Sequence, residues 1–232
     1  MIVNKNLEKR LDLEIITNIV NKESRVLDIG CGNGDLLKLL KDQKKVDGRG
    51  LEISQICVSK AVARGISVIH GDAAQDLPHY PDDSFDYAIL AQTIQAMIDP
   101  KEIIKEMLRI ANYAIISFPN FAYFKNRLYL LAKGKMPVRK TIPYQWYDTP
   151  NIHFCSIDDF KVLCQEMKFL IKDEFYLKSN GKEAGILRGK IFPNLLAEFG
   201  LFVVSRDNKA MAAQSEFIFN KKYNRKVENA FT

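Results

Sequence analysis

The chain has 232 residues, of which 47% are hydrophobic and 27% are charged, and these proportions exclude a collagen-like or low-complexity polypeptide. No apolar run approaches the roughly 18 residues of a membrane span, and the N-terminus lacks the basic and apolar regions of a signal peptide. We therefore expect a cytoplasmic protein that does not use a membrane. Free thiols are expected at Cys31, Cys57, Cys155 and Cys164, because they form neither a Cys-x-x-Cys pair nor a dense framework and no export signal is present. No metal site is expected, because His70, His79 and His153 fall at no metal-ligand spacing.

The net charge of +6 comes from one segment, since residues 120–147 carry six basic side chains and no acidic one. Seven aromatic residues are interleaved with these cations. Such a segment could bind nucleic acid or an acidic partner. It could equally be a partly buried insertion whose lysines and arginines face water, and we favour this interpretation over nucleic-acid binding.

The first half of the chain alternates between predicted strands and helices. Apolar residues at helical spacing predict an amphipathic helix within residues 1–24. Strands are then predicted at 25–30, 46–53, 67–70, 87–91 and 114–118, and helices at 35–45, 54–64 and from Pro100 onward. This alternation predicts parallel strands joined by right-handed crossovers.

The alternation stops at Asn120. A helix is predicted over 158–167 with Ser156 as its cap, followed by strands at 169–177 and 200–205. The stretch 179–198 contains Gly181, Gly185 and Gly189 and is predicted to be a loop. We expect one α/β domain over residues 1–206 with an insertion at about 120–155, followed by a polar tail, 207–232, that is disordered or packs as a helix.

A glycine-rich turn joins the first strand to the first crossover helix, where residues 28–34 read Asp-Ile-Gly-Cys-Gly-Asn-Gly. A dinucleotide fingerprint requires a third glycine where Asp35 stands, and a P-loop requires a Gly-Lys-Ser/Thr ending that is absent. The turn is therefore expected to bind a ligand without a pyrophosphate. Asp28 would repel phosphate and would suit an amino or ammonium group.

Two further acids follow the next strands. Glu52 ends the second strand, where an acid commonly binds ribose hydroxyls, and Asp72 follows the third, where it could bind an adenine amino group. One carboxylate for an amine, one for a ribose and one for an adenine together describe S-adenosylmethionine. The alternative is that these acids only cap turns or face solvent.

This arrangement resembles the class I S-adenosylmethionine-dependent methyltransferases over roughly residues 24–120. The resemblance implies a Rossmann-like, seven-stranded, mostly parallel sheet with one antiparallel strand and helices on both faces. It also implies cofactor contacts by residues of the turn and of the following strand ends, namely Asp28, Gly30, Cys31, Gly32, Gly34, Glu52, Ile53, Asp72, Ala73, Ala91 and Gln92.

Longer strings resemble one narrower family, the methionine-biosynthesis protein MetW, across about residues 24–205. They include FDYAILAQTIQ at 85–95, IISFPNF at 115–121, PYQWYDTPNIH at 143–153 and PNLLA at 193–197. General methyltransferases share the glycine turn but lack the YDTPNIH run. The resemblance implies a role in methionine biosynthesis together with a homoserine O-acyltransferase as partner.

Methyl transfer often needs a base, and the sequence offers only one weak candidate. After the fourth strand the chain reads Ala-Gln-Thr-Ile-Gln at 91–95, without the pattern of Asn or Asp, Pro, Pro and an aromatic residue that amine-methylating enzymes often show. Glutamines cannot act as bases near neutral pH, which leaves His153. We therefore expect an accessory or regulatory protein that binds S-adenosylmethionine or S-adenosylhomocysteine. The alternative is an active methyltransferase on a small molecule.

Overall fold

The computed structural model describes residues 10–139, 141–178 and 192–206. Its seven strands are β1 (Arg25–Ile29), β2 (Asp47–Glu52), β3 (Ser67–His70), β4 (Phe85–Ala91), β5 (Ala111–Pro119), β6 (Phe169–Leu177) and β7 (Phe199–Arg206). Its helices are α1 (Leu11–Ile19), α2 (Asp35–Lys44), α3 (Gln55–Ala63), α4 (Ala73–Asp76), α5 (Pro100–Ile110), α6 (Phe124–Lys133), α7 (Ile157–Glu166) and α8 (Pro193–Leu196).

All seven strands form one sheet in the order β3-β2-β1-β4-β5-β7-β6. The pairs among β1 to β5 are parallel, and β7 is antiparallel to both of its neighbours, β5 and β6. The predicted seven-stranded, mostly parallel sheet with one antiparallel strand is therefore confirmed.

Helices cover both faces of the sheet, because side chains that alternate along each strand enter two separate cores. One core joins α1, α2 and α3 to side chains such as Val26 of β1. The other joins α4, α5 and α7 to side chains such as Leu27 and Ile29. The Asp28 side chain consequently lies on the face that α1, α2 and α3 cover.

Helix boundaries follow local chemistry. Ser54 caps α3 by accepting a hydrogen bond from the Cys57 amide, and Pro100 begins α5. Ser156 and Asp159 form a reciprocal capping box at α7. The predicted caps at Ser54 and Ser156 are therefore confirmed.

Three of these helices were not predicted, and α6 is the largest. Its ten residues bury only one side chain, Asn126, because the face that carries its apolar residues Phe124, Leu128 and Leu131 does not pack into either core of the sheet. Gly134 ends the helix with a positive φ of 60°. The insertion between β5 and α7 thus contains regular structure. The other two are short: α4, which Asp72 caps, and α8, which lies where the sequence predicted a loop.

The parallel strands β1 to β4 all end at one edge of the sheet, which brings the turns after them together. Within the described residues no helix is long and apolar enough to cross a membrane. The predicted tail and the glycines of the 179–191 stretch lie outside the described residues.

Candidate cofactor site

The glycine turn between β1 and α2 is held by backbone hydrogen bonds and by left-handed glycines. The Gly30 amide donates to the Leu51 carbonyl at 2.7 Å, which fixes the turn to the end of β2. Gly30 has a φ of +69°, and a Cβ placed there would fall 2.7 Å from Cγ2 of Thr93. Gly32 has a φ of +55°, and a Cβ there would meet no atom within 4 Å. The turn is therefore packed at Gly30 and open at Gly32.

The carboxylate of Glu52 connects β2 to this turn. Its Oε2 accepts a hydrogen bond from the Gly32 amide and its Oε1 accepts one from the Ser54 amide, both at 2.8 Å. Each carboxylate oxygen has two lone pairs, so each can accept one further hydrogen bond. Glu52 thus positions the turn and still has acceptor capacity for a hydroxyl-bearing ligand.

Asp28 is a buried acid, with 2% of its surface exposed. Its pKa is raised to about 7, chiefly by burial, while the charge of Arg10 lowers it and the charge of Glu52 raises it. No donor among the described residues hydrogen-bonds its carboxylate. Because a buried carboxylate is costly without a donor, Asp28 is chemically suited to an ammonium group.

The end of β3 contributes the third predicted acid. Asp72 is half-buried, and its carboxylate accepts a hydrogen bond from the Ala74 amide at the start of α4, where Ala73 is buried. Ile53, directly after Glu52, has 66% of its surface exposed. Ile53 thus provides an exposed apolar surface, next to the ends of β2 and β3, against which a flat ring can pack.

The chain turns sharply after β4. Gln92, beyond the half-buried Ala91, has a φ of +57°, and its amide donates to the carbonyl and the hydroxyl of Ser117. Its side-chain amide donates to Asp12 of α1 at 3.1 Å. The Arg10 guanidinium in turn pairs with Asp12 at 2.5 Å. The turn after β4 is thus fixed to the first helix.

Arg10 and Asp12 were missed by the sequence interpretation, which treated the first helix only as amphipathic. Asp12 is 4% exposed and lies three and four residues before Ile15 and Ile16. A carboxylate in the apolar stripe of a helix was the available signal, because a buried charge needs a partner.

Two of the family strings meet at Gln95. The Gln95 carbonyl accepts hydrogen bonds from the amides of Ile152 at 2.8 Å and of His153 at 3.0 Å. Its side-chain amide donates to the Gln92 carbonyl at 2.7 Å. The insertion is therefore connected through Gln95 to the turn after β4.

His153 is exposed beside this turn, and its Nε2 lies 3.3 Å from the Ile98 carbonyl. An imidazole that donates to this carbonyl through Nε2 keeps Nδ1 as its acceptor. The structure thus brings the histidine close to the turn after β4.

Cys31 packs inside the turn, where burial raises the pKa of its thiol to about 12, with the charges of Asp28 and Glu52 adding to the shift. A Cβ at Gly50 would fall 2.5 Å from its Sγ. A protonated, buried thiol is unreactive, so Cys31 fills space between β1 and β2.

The predicted residues therefore form one group at the edge of the sheet. Asp28 and Glu52 interact electrostatically around Gly32, and Thr93 packs the turn after β4 against Gly30. Gly34, with a φ of +76°, begins α2, and Asp72 follows the neighbouring strand. Carboxylates beside a glycine with open space at its Cα can bind a ligand that carries a cation and hydroxyl groups.

Comparison with known sequences identifies the family. The family described as "Methionine biosynthesis protein MetW" matches residues 10–204. A bifunctional methionine biosynthesis protein MetXA/MetW of Rhodopirellula baltica is 35% identical over 217 residues, which are 89% of this chain and 34% of that protein. This chain therefore spans about a third of the length of that relative. A demethylmenaquinone methyltransferase of Geobacillus kaustophilus is 27% identical over 172 residues, covering 65% of this chain and 73% of that enzyme.

Solved structures agree on the fold. An S-adenosylmethionine-dependent methyltransferase of Mesorhizobium loti has a TM-score of 0.62 at 17% identity, covering 86% of this chain and 99% of that one. A methyltransferase of Thermotoga maritima, described as a possible histamine N-methyltransferase, has a TM-score of 0.57 at 23% identity, covering 84% and 87%. The fold is the Rossmann-like methyltransferase fold, and by its sequence the chain belongs to the MetW family of methionine biosynthesis proteins.

Proposed function

We propose that the chain binds S-adenosylmethionine or S-adenosylhomocysteine at the edge formed by β1, β2, β3 and β4. The observation that carries this proposal is the Asp28 carboxylate, which is buried and lacks a hydrogen-bond donor among the described residues beside the open Gly32. The amino group of the methionine moiety would supply a charged donor to this carboxylate.

The other proposed contacts follow from the same geometry. Glu52 would accept from the ribose hydroxyls through its remaining lone pairs, and Asp72 would accept from the adenine amino group. Ile53 would lie against the adenine ring. Gly32 admits the ligand because no side chain occupies the space beside it.

We further propose that the protein acts with, or regulates, a homoserine O-acyltransferase. The relative from Rhodopirellula baltica unites MetXA and MetW in its name as one bifunctional protein, which supports a shared task. The turn after β4 carries two glutamines and no acid or base, which argues against catalysis by that turn. S-adenosylmethionine is made from methionine, the end product of the pathway. A protein that binds it could regulate the acyltransferase, an early enzyme of methionine biosynthesis, if cofactor binding and partner binding are energetically coupled.

Calorimetry and an acylation assay test the two parts separately. The wild-type protein is expected to bind S-adenosylhomocysteine more tightly than 5′-methylthioadenosine, which lacks the amino group. Asp28→Asn should remove most of that preference without removing the binding of 5′-methylthioadenosine. Addition of the wild-type protein should change the rate of the acyltransferase, and cofactor should change that effect. Absence of both a complex and a rate change would disprove the partnership.

An active small-molecule methyltransferase is the second candidate function. His153 lies beside the turn after β4, so a base is available close to the proposed cofactor site. The discriminating measurement is S-adenosylhomocysteine formed only when one acceptor metabolite is present. If His153→Gln abolishes that turnover and leaves cofactor affinity unchanged, the result would favour this function over a regulatory one.

A further inference from the structure

We propose that helix α6 is the surface through which this protein binds the homoserine O-acyltransferase, an inference that rests on the partnership proposed above. On the acyltransferase, α6 would bind in a groove that is apolar at its centre and acidic at its rim. Hereafter the "α6 stripe" means Phe124, Leu128 and Leu131.

The α6 stripe is a mostly exposed apolar surface, in which Phe124 contacts the neighbouring Tyr123 ring at a centroid distance of 4.9 Å. Leu128 and Leu131 are 56% and 84% exposed, and Phe124 is half-buried. Residues at i, i+4 and i+7 share one helix face, and the side chain of Asn126 points to the opposite face. An apolar stripe of this spacing is the pattern that amphipathic helices use to bind grooves.

The protein holds α6 in a fixed place although the helix buries only one of its own side chains. The Asn126 amide donates to the carbonyl of Phe121 at 3.1 Å. The side-chain amide of Asn120 donates to the backbone carbonyls of Asn194 at 2.9 Å and Ala197 at 2.8 Å. The rings of Phe121 and Phe154 lie 4.7 Å apart. The start of α6 is therefore anchored to the segment before β7 and to the insertion.

The residues of α6 would not by themselves make it a stable isolated helix. It has ten residues and no side-chain N-cap, and helices of this length are marginal in water. Burial of the α6 stripe in a groove would add the packing that such helices normally obtain from a core.

The charges beside the stripe determine the kind of partner. Arg127 flanks it on one side and Lys125 on the other, and both are exposed. Residues 120–147 contain no acid. A second copy of this chain would bring these cations against one another in a two-fold symmetric contact, which is repulsive. An acidic rim on a different protein is complementary.

The leucines favour a protein over a nucleic acid. Nucleic-acid sites place aromatic and polar side chains beside their cations, because bases stack and phosphates accept hydrogen bonds. Leu128 and Leu131 provide neither interaction. An apolar centre with a charged rim is the composition of a protein interface.

The test measures binding of the full chain to the acyltransferase of the same organism by surface plasmon resonance or calorimetry. Leu128→Ser combined with Leu131→Ser should weaken binding at least about tenfold, as expected for central anchor residues. Lys125→Glu should slow association and reduce its salt dependence. Val62→Ser on α3 is the matched control, because Val62 is 54% exposed, and this variant should bind like wild type.

The outcomes separate this inference from the proposed function. If the wild type binds and the leucine variant binds equally well, the surface is wrong and the partnership stands. If the wild type does not bind the acyltransferase, both fail. The assignment would also be overturned if the wild type self-associates, or binds duplex nucleic acid at low salt, and the leucine variant abolishes that binding. Unchanged circular dichroism and S-adenosylhomocysteine affinity verify that each variant is folded.

Discussion

The side-chain amide of Gln92 donates a hydrogen bond to the Asp12 carboxylate over 3.1 Å, although 80 residues separate them in the sequence. Gln92 holds a left-handed φ of +57°, which costs free energy for a residue with a side chain. Asp12 is buried, and Arg10 compensates its charge. This contact therefore fixes the turn after β4 to α1 at the edge of the proposed site.

We expect Asp12→Ala to destabilise the protein by about 1–3 kcal/mol, because it leaves the Gln92 amide without its acceptor. Chemical denaturation of Asp12→Ala, Gln92→Ala and the double variant measures the coupling. A coupling energy of about 0.5 kcal/mol or more is expected for residues in contact. Strictly additive effects would show that the contact contributes nothing.

The raised pKa of Asp28 predicts pH-dependent stability. The folded pKa is about 7 and the ordinary aspartate value is 3.8, so the unfolded state loses its proton first as pH rises. Stability should therefore fall between about pH 4 and pH 7 and then level off. Asp28→Asn should remove this fall and stabilise the ligand-free protein above pH 7 by up to about 4 kcal/mol. Denaturant unfolding at several pH values tests this, and an identical pH profile for the variant would contradict it.

Cofactor affinity should depend on the same proton. An ammonium group binds the ionised carboxylate, so affinity for S-adenosylhomocysteine should rise as pH increases through about 7. Asp28→Asn should bind more weakly and without this rise. Calorimetry in two buffers of different ionisation enthalpy would also detect proton release on binding below pH 7. The absence of proton release there would contradict the assigned role.

Alanine substitutions at two glycines should have different consequences. At Gly30 a methyl group would collide with Thr93, so we expect a stability loss of about 1–3 kcal/mol. At Gly32 the added methyl meets no protein atom, so only left-handed strain of about 1 kcal/mol is expected. Gly32→Ala should nevertheless weaken cofactor binding strongly, because the methyl occupies the ligand's space. Thermal unfolding and calorimetry of both variants measure the contrast, and unaltered affinity in Gly32→Ala would place the ligand elsewhere.

Asn120→Asp should loosen the base of α6. The carboxylate cannot donate to the half-buried Asn194 carbonyl or to the buried Ala197 carbonyl, so two acceptors lose their donor, at a cost of about 2–4 kcal/mol. Amide hydrogen exchange should accelerate in α6 more than in β1. Equal acceleration throughout the chain would indicate global destabilisation instead.

The roles of the family strings became clear only in three dimensions. Asn194, in the string at 193–197, accepts from the Ile157 amide through its side chain and from Asn120 through its carbonyl. The last two residues of the string at 143–153, Ile152 and His153, donate backbone hydrogen bonds to the Gln95 carbonyl in the string at 85–95. The sequence identified these strings as specific to a family, but their pairing depends on contacts between distant segments.

The sequence by itself determined the sheet, the glycine turn and the strand ends that carry Asp28, Glu52 and Asp72. These features depend on local spacing: hydrophobic periodicity, capping residues and the positive φ that glycine permits. The tertiary structure decided the partner of Asp12, the raised pKa of Asp28 and the exposure of α6. Each of these depends on which distant groups surround a side chain, and burial and long-range pairing are not encoded in the spacing of neighbouring residues.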